Sequence, residues 1–308
     1  MALIQAPAAV IMIRPWKFFS NPETAADNAF QAESGRPSCE VALQARQEFD
    51  NVVDMVQKCG IKVHVFDDFG EKNTPDSVFP NNWISTHSGG HVALYPMCSL
   101  NRRGERRTDV IEMLKSQYRV QDVVDFSGLE MDGLYLEGTG AMVLDNVNRI
   151  AYSAKSNRAS EVILERFCSQ FLYEPMAFNT KHASGKAVYH TNVMMCVCSD
   201  YALVCLEMIK NKIRRVVIKQ RLIDCGLEVI NLSFAQVDNF AGNAIELTGK
   251  KGQSYLFMSL RAKNSLTEEQ LNKIELYSKI IAVNVETIEL GGGSIRCMMA
   301  GIHLNPRN

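Results

Sequence analysis

Two hydrophobic patterns alternate along the chain. Short apolar runs bounded by Gly, Asn, Asp or Ser predict strands, and longer stretches where charges interrupt the apolar positions predict helices. Trp83 to His87 and His91 to Met97 flank the turn Ser88-Gly89-Gly90, and a charged helical stretch from about Gly104 to Tyr118 leads into a strand from Arg119 to Val124. The same order returns at Ala141 to Leu144 and Ile150 to Ala154 around Asp145-Asn146-Val147-Asn148, with a helix from about Arg158 to Gln170 and a strand from Phe171 to Phe178. It returns again at Val193 to Val197 and Tyr201 to Leu206, with a helix from about Asn211 to Cys225 stopped by Gly226 and a strand from Leu227 to Leu232. A fourth hairpin turns at Gly249 to Gly252. Its helix starts at Thr267, where Thr-Glu-Glu-Gln offers a capping box, and the strand Ile280 to Val285 follows.

The two ends complete the pattern. The last strand, Cys297 to Leu304, has no partner after it and the first, Ala9 to Ile13, none before it, so the two are expected to pair. The helix Val41 to Cys59, closed by Gly60, and the strand Ile61 to Phe66 then make a fifth unit. The expected fold is of the α/β class, a five-bladed propeller of ββαβ units. It is expected to form one domain over residues 1–308, sealed by its terminal strands so that no stray sheet edge is left between the ends.

Composition narrows the function. The chain has 308 residues and a formal charge of -1, from 33 basic and 34 acidic side chains. No surplus of Lys and Arg exists to grip phosphates, so a nucleic-acid carrier is excluded. The local cluster Arg102, Arg103, Arg106, Arg107 reads as a solvated face. The longest apolar candidate for a membrane span, Val193 to Ile209, is cut by Ser199-Asp200 and contains Glu207, so no bilayer crossing is expected. The stretch Met1 to Arg14 lacks a basic start and a small-residue cleavage pattern, and it reads as leading into the first strand. Nine cysteines scattered without a secreted-domain framework point to reduced thiols and a cytoplasmic location.

The repeat aligns chemistry. Counting back from each hairpin to the residue at or just before its first strand gives Asn82, Glu137, His190, Asn243 and Cys297, separated by 55, 53, 53 and 54 residues. In a ring, equivalent positions converge on the axis. Two amides, a carboxylate, an imidazole and a thiol would then share one cavity. A cysteine and a histidine meeting there, with Glu137 to orient the imidazole, supply what thiol-based acyl or amidine transfer needs. Cys297 follows Gly291-Gly292-Gly293, a run that lets a ligand approach the backbone closely. Taken singly, Cys297 and His190 also suit buried strand positions, and the register is what joins them. Cys196-x-Cys198 has no paired second motif, and His87 and His91 bracket a turn as solvated histidines do, so no metal site is expected. Gly138-Thr139-Gly140 and the later glycine run match neither a P-loop nor a dinucleotide fingerprint.

These residues resemble the guanidine-modifying, or amidinotransferase, superfamily, whose five-bladed α/β propeller is called the pentein fold. The resemblance rests on Asp76-Ser-Val-Phe-Pro-Asn-Asn82, Leu136-Glu-Gly-Thr-Gly140, Ser156-Asn-Arg158, Tyr189-His-Thr-Asn192, Phe240-Ala-Gly-Asn243 and Gly291-Gly-Gly-Ser-Ile-Arg-Cys297-Met. Ile13-Arg-Pro15, Asn21-Pro-Glu-Thr-Ala25 and Asn28-Ala-Phe-Gln31 look most like the branch of citrulline-utilisation hydrolases, related to arginine deiminases. The resemblance implies Cys297 as nucleophile, His190 as general acid and base, and Glu137 as the carboxylate beside them. It implies a substrate site that includes Asp76, Phe79, Asn82, Asn192, Asn243 and Arg158, the last holding an α-carboxylate through its planar fork. Arg14 and Arg296 are further candidates for that contact. No metal or organic cofactor is implied. The partner is a small amino acid, and a homo-oligomer stays open.

One departure bears on the substrate. Arginine deiminases usually present aspartates at the positions of Asn82 and Asn192, where they clamp a cationic guanidinium, and both are amides here. Stripping a buried cation of its carboxylates costs several kcal/mol, whereas a neutral ureido group can be answered by an amide's NH₂ and C=O. The expected reaction is hydrolysis of citrulline to ornithine, ammonia and carbon dioxide through a covalent cysteine intermediate. The alternatives are an arginine deiminase or other guanidine hydrolase, an amidinotransferase, and a non-catalytic binding protein, since the same propeller occurs in a ribosome-associated translation factor.

Overall fold

The computed structural model describes residues 3–182, 185 and 187–307. Five three-stranded sheets repeat one order: an inner strand pairs antiparallel with a middle strand, which pairs parallel with an outer strand after a helical crossover. The expected propeller is the fold found. Its inner strands are Ala300–Gly301, Ile84–His87, Met142–Asp145, Met195–Val197 and Ile245–Thr248. The corresponding outer strands are Lys62–Asp67, Asp122–Asp125, Glu174–Phe178, Glu228–Asn231 and Lys279–Val283.

The terminal strands close the ring. Val10 pairs with Gly301 and Ile11 with Ala300, while Ala9 to Arg14 run parallel to Lys62 to Asp67. Burial explains the sequence pattern. The inner strand Ile84–His87 is buried throughout even though Ser85, Thr86 and His87 are polar, and the middle strand is buried from Val92 to Leu94, whereas the outer strand Asp122–Asp125 is only half-buried and carries charges at both ends. The helix Ser38–Lys58 covers its blade with Val41, Ala45, Phe49, Val52 and Val56, all at helical spacing. Each such side chain stabilises the fold by about 1.5–3 kcal/mol for the larger residues. Its Glu48 serves the site indirectly. The carboxylate accepts the N–H of Thr287 at 3.0 Å and of Ile288 at 3.1 Å, which fixes the short helix Glu286–Glu289 leading into the glycine run.

Several boundaries differ from expectation for local reasons. The helix expected from about Gly104 begins at Thr108 and ends at Gln117, with a separate short helix, Leu100–Arg103, before Gly104; between the two, Arg106 takes Glu130 and Arg107 takes the Asp67 carbonyl. The helix expected from Arg158 begins at Glu161 after Ser160, and Arg158 sits in a turn. The long last strand is reduced to Ala300–Gly301. Upstream of it Cys297 and Met298 donate back to Ser294 and Ile295, so those N–H groups are lost to any ladder. The glycine stops and the Thr267 capping box stand as expected, with φ +81° at both Gly60 and Gly226.

All nine cysteines are unpaired. No helix among the described residues is long and apolar enough to cross a membrane. Met1 and Ala2, read as leading into the first strand, lie outside the described residues.

Candidate active site

The aligned residues do not lie in strands. Each occupies a tight turn just before an inner strand: Asn82 ends the turn Pro80–Asn82, Glu137 precedes Gly138–Ala141, and His190 precedes Thr191–Val193. Asn243 and Cys297 close similar turns, with N–H bonds back to Phe240 at 2.8 Å and Ser294 at 2.9 Å. Repeating one turn five times around an axis brings these side chains together.

Cys297 is buried among amides. Asn192 Nδ2 and Asn243 Nδ2 each donate to its Sγ at 3.2 Å. Asn243 is locked in this pose, because its Oδ1 accepts the N–H of Ser294 at 3.2 Å and of Arg296 at 3.1 Å. Among the described residues, Asn192 Oδ1 is buried with no hydrogen-bond partner. Two donors converging on one sulfur suit an anionic acceptor.

His190 Nε2 lies 2.7 Å from Glu137 Oε2. Glu137 Oε1 accepts the Cys98 N–H at 3.0 Å, and Arg102 and Arg158 each bring Nη1 to 3.7 Å from Oε2. Burial alone would raise the Glu137 pKa, but Arg158, His190 and Arg102 together hold it well below the usual carboxylate range. At His190 burial wins over the Glu137 bond and lowers the pKa, which makes the imidazole neutral at neutral pH. A neutral ring donating Nε2–H to Glu137 keeps Nδ1 as a free base. Gly140 leaves room beside it. A Cβ there would sit 2.8 Å from Nδ1 and 2.2 Å from the Asn82 amide.

Arg102 corrects the sequence reading of a solvated basic cluster. It is 2% exposed, binds Glu105 through Nε at 2.8 Å and Nη2 at 2.9 Å, and lines the same cleft as Cys297. With its oxygen turned to this guanidinium, the Asn82 amide accepts from Nη1 at 2.9 Å and Nη2 at 3.1 Å and donates to Asn81 Oδ1 at 3.1 Å. Both ends of Asn82 are therefore engaged by protein. The i,i+3 pair Arg102 and Glu105 was the available signal, masked by the three arginines around it.

The loop between the first strand and first helix roofs the cleft, and sequence reasoning placed no site residue on it. Asn21 donates to Asp76 Oδ2 at 2.7 Å, Asn28 donates to the Gly291 carbonyl at 3.2 Å, and Asp27 grips Arg158 through Nε at 2.9 Å and through Nη2. Arg158 also stacks 4.8 Å above the Tyr189 ring. The cleft is narrow and is lined by Thr24, Asn28, Asp76, Phe79, Asn82, Arg102, Arg158, Tyr189, His190 and Cys297. Among the described residues, Asp76 Oδ1 is buried without a hydrogen-bond partner.

Two expected contacts lie elsewhere. Arg14 points to the rim of its blade, paired with Asp50 at 2.7 Å and Asp67 at 2.8 Å. Arg296 faces a different side from Cys297 and lines a separate axial cavity. His87 is hydrogen-bonded to Ser85 and His91 to Asp122. No three His, Cys, Asp or Glu side chains among the described residues converge as metal ligands.

The five-bladed α/β propeller is the fold of the guanidine-modifying, or amidinotransferase, superfamily, and a family match puts the chain among its hydrolases of non-peptide C–N bonds. Within it, the chain belongs to the family described as N,N dimethylarginine dimethylhydrolase, eukaryotic, whose model matches residues 14–304. Within the same superfamily, the N-terminal motifs had pointed to the citrulline-utilisation branch. No curated protein sequence matches the chain significantly. Among solved structures, the N-terminal domain of ArgZ, an arginine dihydrolase from the ornithine-ammonia cycle in cyanobacteria, is 17% identical. It has a TM-score of 0.73, covers 94% of this chain and 96% of its own, and was solved as a mutant bound to substrate. AgrE, in a ternary complex with ornithine and NAD+, is 15% identical with a TM-score of 0.71 over 97% of this chain and 39% of its own. A dimethylarginine dimethylaminohydrolase adduct with S-methyl-L-thiocitrulline is 13% identical, with a TM-score of 0.63 over 95% and 98%. At these identities the likeness is one of fold.

Proposed function

We propose that the chain hydrolyses the C–N bond of a ureido amino acid, with citrulline giving ornithine, ammonia and carbon dioxide. The observation that carries this reading is the pair of asparagine amides on Cys297 Sγ. A guanidinium substrate brings its own positive charge to a thiolate. A neutral ureido group brings none, so the protein must supply the stabilising donors, and Asn192 and Asn243 do so. The cleft carboxylates Asp76 and Glu137 already face arginines, Arg102 at 3.6 and 3.7 Å respectively, and are poorly placed to balance a second cation.

The Cys297 thiolate attacks the ureido carbon. As the C–N bond to the ornithine nitrogen breaks, His190 delivers to that nitrogen the proton its Nδ1 took from the Cys297 thiol when the thiolate formed, and S-carbamoyl cysteine remains. Water then gives a proton to neutral His190 and attacks the carbamoyl carbon. The thiolate leaves, and carbamate decomposes to ammonia and carbon dioxide. Release of ammonia first would instead leave the amino acid on the sulfur. Glu137 holds the imidazole and balances its charge while it carries the proton. Asn192 Oδ1 is placed to accept a ureido N–H. Arg158 exchanges Asp27 for the substrate α-carboxylate.

The neighbours favour a second reading, a guanidino substrate, because ArgZ is an arginine dihydrolase and the matching family is named for dimethylarginine. Purified protein given citrulline, arginine or N,N-dimethylarginine separately, with products identified by mass spectrometry and Cys297→Ala as control, tests both. Ornithine from citrulline supports the first reading. Citrulline as the end product from either guanidine, with citrulline itself inert, supports the second.

A further inference from the structure

Below the turn that carries Cys297, the inner strands surround a second axial cavity of about 70 Å³, to which Thr86, Leu144, Cys196, Glu246 and Gly301 bring all five blades. Arg296 reaches into it. Its Nη1 donates to the Met299 carbonyl at 2.9 Å. Among the described residues Nε and Nη2 have no hydrogen-bond partner, and no carboxylate pairs with the guanidinium.

The only carboxylate on the cavity wall among the described residues is already saturated. Glu246 Oε2 accepts the Ser199 N–H at 2.6 Å and its hydroxyl at 2.7 Å, and Oε1 accepts the hydroxyls of Ser254 and Ser278. Arg296 lies deep enough that burial lowers its pKa, yet it retains access through the cavity itself. An arginine does not shed its proton there.

Three other arginines show what the free edge is for. Arg102 presents Nε and Nη2 to Glu105 at 2.8 and 2.9 Å, Arg107 presents the same edge to Asp109 at 3.0 and 2.6 Å, and Arg158 presents it to Asp27. In Arg296 this edge faces the cavity. The geometry points to a second ligand site on the propeller axis, one that takes a small planar oxyanion of carboxylate type in a two-bond fork on Arg296. Carboxylates and bicarbonate share that shape. Asn146 and His303 line both this cavity and an outer groove bounded by Gly89 and Arg119, so the two are adjacent.

The test is thermal unfolding of the full chain with formate, acetate or bicarbonate against chloride at fixed ionic strength. A ligand that binds only the folded state raises Tm in a saturable way. The three oxyanions are expected to do so and chloride is not, and bicarbonate against formate and acetate shows which source is preferred. Cys297→Ala is expected to keep the effect and Arg296→Gln to lose it. Arg296→Lys, which keeps the charge but not the fork, is expected to bind at least about tenfold more weakly. This variant guards against a Gln variant that fails to fold. A crystal soaked in formate should show planar density bridging Nε and Nη2. Equal Tm responses in wild type and Arg296→Lys, or density at Arg296 from water alone, would overturn the site.

Discussion

Replacing Asn192 by alanine isolates one of the two donors on the nucleophile. Among the described residues its Nδ2 bonds only to Cys297 Sγ, at 3.2 Å, and its Oδ1 has no hydrogen-bond partner, so the substitution removes a single bond without orphaning another group. A hydrogen bond to a charged group contributes about 1.5–3 kcal/mol, and about 1.4 kcal/mol is a factor of ten. The reactivity of Cys297 as a nucleophile should therefore fall about 10- to 100-fold. The rate of iodoacetamide labelling of the Cys297 peptide, read by mass spectrometry, should fall with it, while the buried Cys168 and Cys205 serve as internal references. Asn192→Asp goes further. A carboxylate 3.2 Å from a thiolate is repelled by about 5 kcal/mol at an effective dielectric constant of roughly 20. This variant should label more slowly than the alanine variant, and its residual activity should move toward the cationic substrate arginine. Labelling rates within twofold of wild type in both variants would refute the view that the amides hold a thiolate.

Three further outcomes follow from the same geometry. Arg102→Ala leaves Glu105 buried without its fork, so it should lose about 3–5 kcal/mol in urea unfolding. Arg103→Ala, from a half-buried pair with Glu130, should lose no more than about 1 kcal/mol, and equal losses would restore the solvated-cluster reading. Gly140→Ala places a methyl 2.8 Å from His190 Nδ1. It should lower kcat about 100-fold with a stability loss of about 1–3 kcal/mol, and unchanged kcat would show that Nδ1 is not the working base. Burial holds His87 and His190 below their ordinary value and pushes His64 and His303 down to about 4. Unfolded imidazoles protonate near 6.5, so the unfolded chain binds more protons between about 4 and 6.5. Stability should be full above that range and fall steadily as the pH drops through it, and a Tm that rises from pH 7 to pH 5 would contradict this.

The repeat was legible because each blade writes one hydrophobic grammar, and its spacing of about 54 residues brought Asn82, Glu137, His190, Asn243 and Cys297 into register before any coordinates. Their local conformation was not legible. The pattern placed Cys297 at a strand start, whereas backbone bonds from Cys297 and Met298 to Ser294 make a turn there. Arg102 was misread because composition shows charge and not burial: four arginines within six residues look solvated, yet one of them turns inward to Glu105 and Asn82. The roofing loop was missed for a related reason. Asn21, Thr24, Asp27 and Asn28 have no apolar periodicity, and their contacts with Asp76, Arg158 and Gly291 span long sequence separations that no local pattern encodes. Arg14 and Arg296 were chosen by proximity to motifs. In the turn that carries both residues, Arg296 and Cys297 face different sides, and Arg296 lines the axial cavity away from the cleft.

Competition between citrulline and arginine in one vessel, at equal concentration with distinct isotopic labels, reads the ratio of their kcat/KM values directly. That ratio tests whether this is a ureido hydrolase built around amide-held Cys297. Labelled ornithine should come first and mainly from citrulline, vanish with Cys297→Ala, and shift toward arginine with Asn192→Asp. Faster turnover of arginine by the wild-type chain, or citrulline accumulating unconsumed, would contradict the neutral-substrate assignment and return the chain to the guanidine hydrolases.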